Sequence, residues 1–197
     1  MVALAGFALL AFAYDREPLS TMDASVAEWV ATSLPRGLEL AARPFSWLGG
    51  WIGITALTVV AVALLARERN WLDVAFVLTA VVGSQVAVAL LKAWFDRPRP
   101  DAGPAVPLPD SAAFPSGHAA SGAAVFGAFT ILLAERLPSA RSWFWIGAVV
   151  VGVAVGLSRI ALNVHYVTDV LAGWCFGLAW LAACVLVRER LRGRATR

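Results

Sequence analysis

Charge is scarce in this chain. Only 15% of its 197 residues are Asp, Glu, Lys or Arg, against about 25% in an ordinary soluble domain. Apolar residues make up 60% of the chain and the mean hydropathy is +0.74, which excludes a typical soluble domain. The same apolar content, with no Gly-X-Y period, excludes a disordered or collagen-like chain. Cysteine is rare as well. Cys175 and Cys184 share one apolar stretch, and nine residues of helix separate them by about 13 Å along the axis, too far for a disulfide. They read as packing residues. There are only two histidines, His118 and His165, and a single lysine, Lys92.

What is present is apolar runs. A spanning helix needs roughly 20 mainly apolar residues. Stretches free of charged residues occupy 44–66, 74–91, 111–134, 142–158 and 170–187. Residues 1–14 are apolar too but reach only about 21 Å as a helix. They lack the basic start of a signal peptide, so they read as a first span, short or truncated at its amino end. The expectation is an all-α, six-transmembrane-helix bundle forming one domain over 1–197, with spans near 1–14, 48–66, 72–94, 115–134, 142–162 and 167–187.

Six spans give alternating connections. One set holds Arg67, Arg69, Arg136, Arg141, Arg188, Arg190, Arg192, Arg194 and Arg197, nine of the sixteen basic residues. Short Arg-rich connections stay cytoplasmic. The basic tail is therefore expected to signal topology and meet lipid headgroups; no nucleic-acid partner is needed to explain a pI near 9.4. On the opposite side, Val26, Trp29, Val30 and Leu34 recur at helical spacing. Ser25 and Glu28 form a candidate capping box, and Pro35 ends the run. This predicts an amphipathic helix on the outer membrane surface or over the protein's own loops. Six of the ten prolines lie between Pro98 and Pro115, which predicts an irregular loop. Trp29, Trp47, Trp51, Trp71, Trp94 and Trp143 fall near span ends, where indoles favour the interface.

The chemistry collects on that same outer side. His118, His165, Lys92, Arg97, Arg99, Arg159 and Asp169 all fall beside span ends on one face of the alternation, and ionisable groups near membrane depth are functional or paired. Lys92, Arg99 and Arg159 suit a dianionic phosphate. Pro115-Ser116-Gly117-His118 reads as a loop entering a helix, whose free N–H groups favour an anion; Gly permits close backbone approach and Ser116 adds a donor. His165 and Asp169 are four residues apart, so a helical turn places them on one face. The carboxylate can then hold Nδ1–H and leave Nε2 free to attack; the plainer reading is a His–Asp pair tying two helices together. A zinc site is opposed by the three surrounding cations. Arg97 is left to headgroup contact or membrane anchoring.

In sequence, Lys92-x6-Arg99-Pro100, Pro115-Ser116-Gly117-His118 and Ser158-Arg159-x5-His165-x3-Asp169 resemble the tripartite signature of the type-2 phosphatidic acid phosphatase superfamily. Order and internal spacing match without departure. The resemblance implies that His165 is the nucleophile, taking the phosphoryl group as a phosphohistidine. It implies that His118 serves as general acid and then activates water, with Asp169 orienting His165. Lys92, Arg99, Ser116, Gly117 and Arg159 would bind the phosphate, with no metal and no other cofactor. The implied partners are a membrane lipid phosphate substrate and the phospholipid bilayer. The implied activity is dephosphorylation of phosphatidic acid, phosphatidylglycerol phosphate or a polyprenyl phosphate or diphosphate. One Lys against fifteen Arg, with abundant Ala, points to a GC-rich bacterial gene. The expected location is therefore a bacterial cytoplasmic membrane, with the active site at the extracytoplasmic helix ends. A transporter is disfavoured, because its polar groups belong mid-span rather than at helix ends on one side.

Overall fold

The computed structural model describes residues 1–101 and 103–195. Among these the regular structure is entirely helical. The helices are α1 (Val2–Ala13), α2 (Leu19–Ser33), α3 (Arg36–Gly49), α4 (Trp51–Arg67), α5 (Trp71–Leu78), α6 (Ser84–Phe95), α7 (Gly117–Arg136), α8 (Arg141–Ala161) and α9 (Val167–Ala195). A π-helical turn, Thr79–Gly83, joins α5 to α6 without ending the helix. Four stretches are long and apolar enough to cross a bilayer: Trp71–Phe95, Gly117–Arg136, Pro138–Ala161 and Val167–Arg194. α3 and α4, bent by 43° at their junction, make a fifth when taken together. α1 has 12 residues, about 18 Å of helix.

α7 lies at the centre. Ala119, Ala120, Ala124, Val125 and Ala128 are fully buried, and their small side chains let α8 and α9 pack closely on either side. The closest approach is made by Gly173 and Gly177 on α9. A Cβ on Gly173 would lie 2.6 Å from Ser116 O, and one on Gly177 would lie 2.3 Å from Ala120 O. Two small residues four apart allow this kind of backbone contact between membrane helices. The contact sets the start of α7 against the start of α9.

Several expectations need correction. The capping box at Ser25 does not form. α2 begins at Leu19, and Ser25 sits inside it, because the helix starts directly after Pro18 and needs no second beginning. The helix does end before Pro35, but a second helix, α3, follows at once. Pro44 lies within α3, so the absence of charge after residue 44 marks no span start. α3 carries Arg36, Glu39 and Arg43 alongside exposed Leu38, Leu40, Phe45 and Trp47, making it the more amphipathic of the pair. α9 runs eight residues past the expected end at 187.

The basic tail is also not purely a headgroup surface. Arg188 is 2% exposed. It donates Nε to Asp73 Oδ1 at 2.7 Å, with Nη1 and Nη2 on Glu135 Oε1 and Oε2 at 2.7 and 2.8 Å. This fork ties α9 to α5 and α7. Removing Arg188 costs about 3–5 kcal/mol, since Asp73 then stays buried without its closest cation. Arg197 lies outside the described residues. The six tryptophans expected near span ends are all exposed, as interface residues would be.

Candidate active site

The loop from Arg97 to Ser116 has no helix or strand among its described residues, as its prolines require. It is tied down at several points. Ala113 N donates to Arg97 O at 2.8 Å, Ala105 N to Leu162 O at 3.1 Å and Ser116 N to Asp169 O at 2.9 Å. The last bond joins the N-cap residue of α7 to the first turn of α9, and thereby two separated parts of the signature.

A cavity of about 580 Å³ opens at this end of the bundle, within the usual range for small-molecule sites. Lys92, Arg99, Gly117, His118, Arg159 and His165 line it. The structure therefore gathers both histidines and all three signature cations on one space. Asp169 stands behind His165 and is completely buried. Ser116, also fully buried, sits at the N-cap of α7.

Arg99 is held by five contacts. Its Nε donates to Ser111 O (2.9 Å), Nη1 to Val164 O (2.7 Å), and Nη2 to Ser111 Oγ (3.2 Å) and Ala112 O (3.3 Å). The fifth contact, 3.1 Å from Nη1 to His165 Nε2, fixes a protonation state. Guanidinium has no acceptor, so Nε2 must carry the lone pair and the ring proton must be on Nδ1. Nδ1 faces Asp169 Oδ2 at 3.3 Å, and the same oxygen accepts from Tyr166 N at 2.9 Å. Burial, reinforced by Arg99, Lys92 and Arg159, holds His165 well below the usual imidazole range. It is a neutral base with its lone pair toward the cavity.

Two buried polar atoms have no hydrogen-bond partner among the described residues, Ser116 Oγ and Arg159 Nε. Unpaired buried donors are costly, and these belong to two of the residues singled out for anion binding. Lys92 Nζ donates to Ala112 O and, at 3.4 Å, to Ala113 O. Arg159 Nη1 donates to Ser46 Oγ of α3. Among the described residues, no group of three or more His, Cys, Asp or Glu side chains is arranged to hold a metal ion.

Arg97 corrects the sequence reading. It is neither an anchor nor a headgroup contact, but 8% exposed and buried behind the cavity. Nη1 donates to Asp169 Oδ1 at 2.6 Å and to Thr168 Oγ1 at 2.7 Å, and Nη2 donates to Asp23 Oδ2 at 2.9 Å. Sequence reading also missed Ser46 and Asp23. A signal for Asp23 existed: it falls in register with Ala27 and Val30, the buried stripe of α2, where a lone carboxylate demands a partner.

This arrangement is that of an integral-membrane phosphatase. The chain belongs to the PAP2 superfamily, whose family model matches residues 71–192. It is 30% identical over 175 residues to phosphatidylglycerophosphatase B of Bacillus subtilis, covering 87% of this chain and 86% of that one. It is 34% identical over 171 residues to decaprenylphosphoryl-5-phosphoribose phosphatase of Mycobacterium tuberculosis, covering 83% and 88%. It is 33% identical over 140 residues to undecaprenyl-diphosphatase of Sulfolobus acidocaldarius, covering 67% and 60%. The crystal structure of a transmembrane PAP2-type phosphatidylglycerolphosphate phosphatase from Bacillus subtilis superimposes with a TM-score of 0.89 at 28% identity, covering 96% of this chain and 95% of that one. The protein is thus a membrane-integral phosphoric ester hydrolase of the type-2 phosphatidic acid phosphatase kind, in a bacterial membrane.

Proposed function

We propose that this single-domain enzyme, residues 1–197, removes the terminal phosphate of a membrane lipid phosphate or diphosphate through a phosphohistidine on His165, without a metal. The observation that carries the reading is the His165 tautomer: a neutral ring, lone pair on Nε2, facing a cavity with three fixed cations. As the phosphate enters, Arg99 exchanges its contact with Nε2 for a phosphate oxygen. Lys92, Arg159, Ser116 Oγ and the Gly117 amide take the others. Nε2 attacks phosphorus and the bond to the leaving oxygen breaks; His118, which takes up a proton as the bound phosphate offsets the surrounding cations, gives that oxygen its proton. The phosphorylated ring is cationic and keeps Nδ1–H on Asp169. His118, now neutral, takes a proton from water as the water oxygen attacks phosphorus and the P–N bond breaks. Phosphate leaves and His165 is restored. Most of the acceleration comes from positioning and charge stabilisation, the usual balance in phosphoryl transfer.

The substrates in the relatives' names share a phosphate at the end of a lipid-linked group, which supports that class for this chain. The test is phosphate release from phosphatidic acid, phosphatidylglycerol phosphate and undecaprenyl phosphate and diphosphate by purified protein in detergent with excess EDTA. Hydrolysis of at least one is expected. Activity on none of them until a divalent metal is restored contradicts the proposal.

The six-span arrangement follows if α1 and the bent pair α3–α4 each count as one crossing. The positive-inside rule then puts the Arg188 end in the cytoplasm and His118 and His165 outside. A cysteine introduced at Pro109 should react with an impermeant thiol reagent in intact cells; reaction only after lysis reverses the orientation.

A further inference from the structure

Behind His165, Asp169 joins two further buried charges, Arg97 and Asp23, that the reaction above does not use. Asp169 and Asp23 are 0% and 1% exposed, and Arg97 bridges them. The guanidinium is fixed in every direction. Tyr14 and Tyr166 rings stack on it, with centroids 4.7 and 4.3 Å away, and Thr168 Oγ1 accepts from Nη1 while donating to Asp23 Oδ2. Asp23 Oδ1 also accepts from Thr168 N at 3.1 Å. That amide is in the first turn of α9, where N–H groups lack intrahelical partners, so α2 caps α9 from outside.

We propose that Arg97 is a positioning residue for the Asp169–His165 pair, anchored by Asp23, which makes α2 part of the catalytic machinery although it lies outside the residues matched by the family model. Asp169 has one oxygen for each task. Oδ1 is taken by Arg97, and Oδ2 is left to face His165 and Tyr166 N. Without Arg97, a buried carboxylate oxygen loses its charged partner, and the group rotates to recover a hydrogen bond. The 3.3 Å contact to Nδ1 is the one that yields. The charges follow the same logic. Two carboxylates against one guanidinium leave one negative charge on the side of His165, matched when Nε2 bonds phosphorus and the ring becomes cationic.

This inference rests on His165 as nucleophile, and the experiment separates the two. Phosphohistidine formation is followed by rapid quench at saturating substrate in Arg97→Met, Asp23→Asn, Asp169→Asn and the Arg97→Met/Asp169→Asn double variant. The rate constant reports positioning, and the amplitude reports the fraction of folded sites. Arg97→Met should slow formation about 10- to 100-fold, by analogy with the outer partners of metal-bound histidines, with KM and amplitude nearly unchanged. Asp23→Asn should slow it less, and the double variant should be no slower than Asp169→Asn alone. Multiplying losses in the double variant, or a lower amplitude with an unchanged rate in both Arg97→Met and Asp23→Asn, overturns the positioning role. Phosphohistidine still forming in His165→Ala would instead overturn the nucleophile assignment.

Discussion

At the residue scale the site depends on one proton. In the proposed mechanism His165 is neutral with its proton on Nδ1: the donor Arg99 at Nε2 favours that tautomer, and burial among cations, Arg99 included, favours the neutral ring. The sign of the pH dependence follows. A histidine whose folded pKa lies below its ordinary value of about 6.5 stays neutral as pH falls through that value. Protonating it costs stability that is retained at higher pH and lost progressively below pH 6.5. With only two histidines, ¹⁵N-histidine spectra of the His118→Ala variant in detergent contain one ring. At pH 6 that ring should show a protonated Nδ1 and a bare Nε2. Both nitrogens protonated at pH 6, or the proton on Nε2, would contradict the arrangement.

The signature residues were legible because polar residues are so rare in this chain that each one near a span end carries information. Arg97 was not legible. A basic residue at a membrane boundary reads as an anchor by default, and only the fold shows that Asp23, 74 positions away, reaches it. Arg188 escaped for the same reason, since Asp73 and Glu135 meet it only in three dimensions.

Among the elements, the α7–α9 contact holds the two halves of the site together. Gly173 and Gly177 place α9 against the backbone at Ser116 and Ala120, next to the Ser116–Gly117 turn proposed to bind phosphate. Backbone cannot move aside as a flexible side chain can. Gly177→Ala should therefore destabilise the protein by about 1–3 kcal/mol, the range for overpacking, and lower activity by displacing Ser116 and His118. Gly147→Ala on α8, where an added Cβ meets nothing within 4 Å, is the control. It should be neutral or stabilise by up to about 1 kcal/mol through helix propensity. Thermal unfolding in the same detergent makes the comparison; equal midpoints for the two variants would show that the contact has slack. Element boundaries were read well where charge bounds an apolar run, as for α5 through α8. They were misread between residues 36 and 50, because the charges of α3 read as part of a connection and its bend into α4 leaves no mark in hydropathy. The π-helical turn is equally silent in sequence; in it Thr79 O accepts from Trp180 Nε1 at 3.1 Å.

For the whole molecule, the ends of the bundle are electrostatically different in kind. One end is knit by Arg188, Asp73 and Glu135, whose charges satisfy one another and lock three helices. At the other, Lys92, Arg99 and Arg159 line a shared cavity with no carboxylate paired to them among the described residues. The first end serves the fold, and the second concentrates positive charge on the cavity. That division also explains why all-helical architecture and the site were readable together: apolar runs dictate the bundle, and the exceptions to apolarity are the chemistry.

The central claim, transfer of phosphate to His165, is tested most directly by rapid quench with a radiolabelled lipid phosphate, followed by mapping of the labelled residue. Wild-type protein should show acid-labile, alkali-stable label on His165 at a rate competent for turnover. His118→Ala should still form it from an activated aryl phosphate, whose leaving group needs little protonation, while losing about 10²–10⁴-fold on the lipid. Label on any other residue, label persisting in His165→Ala, or turnover without label in the wild type would contradict the account.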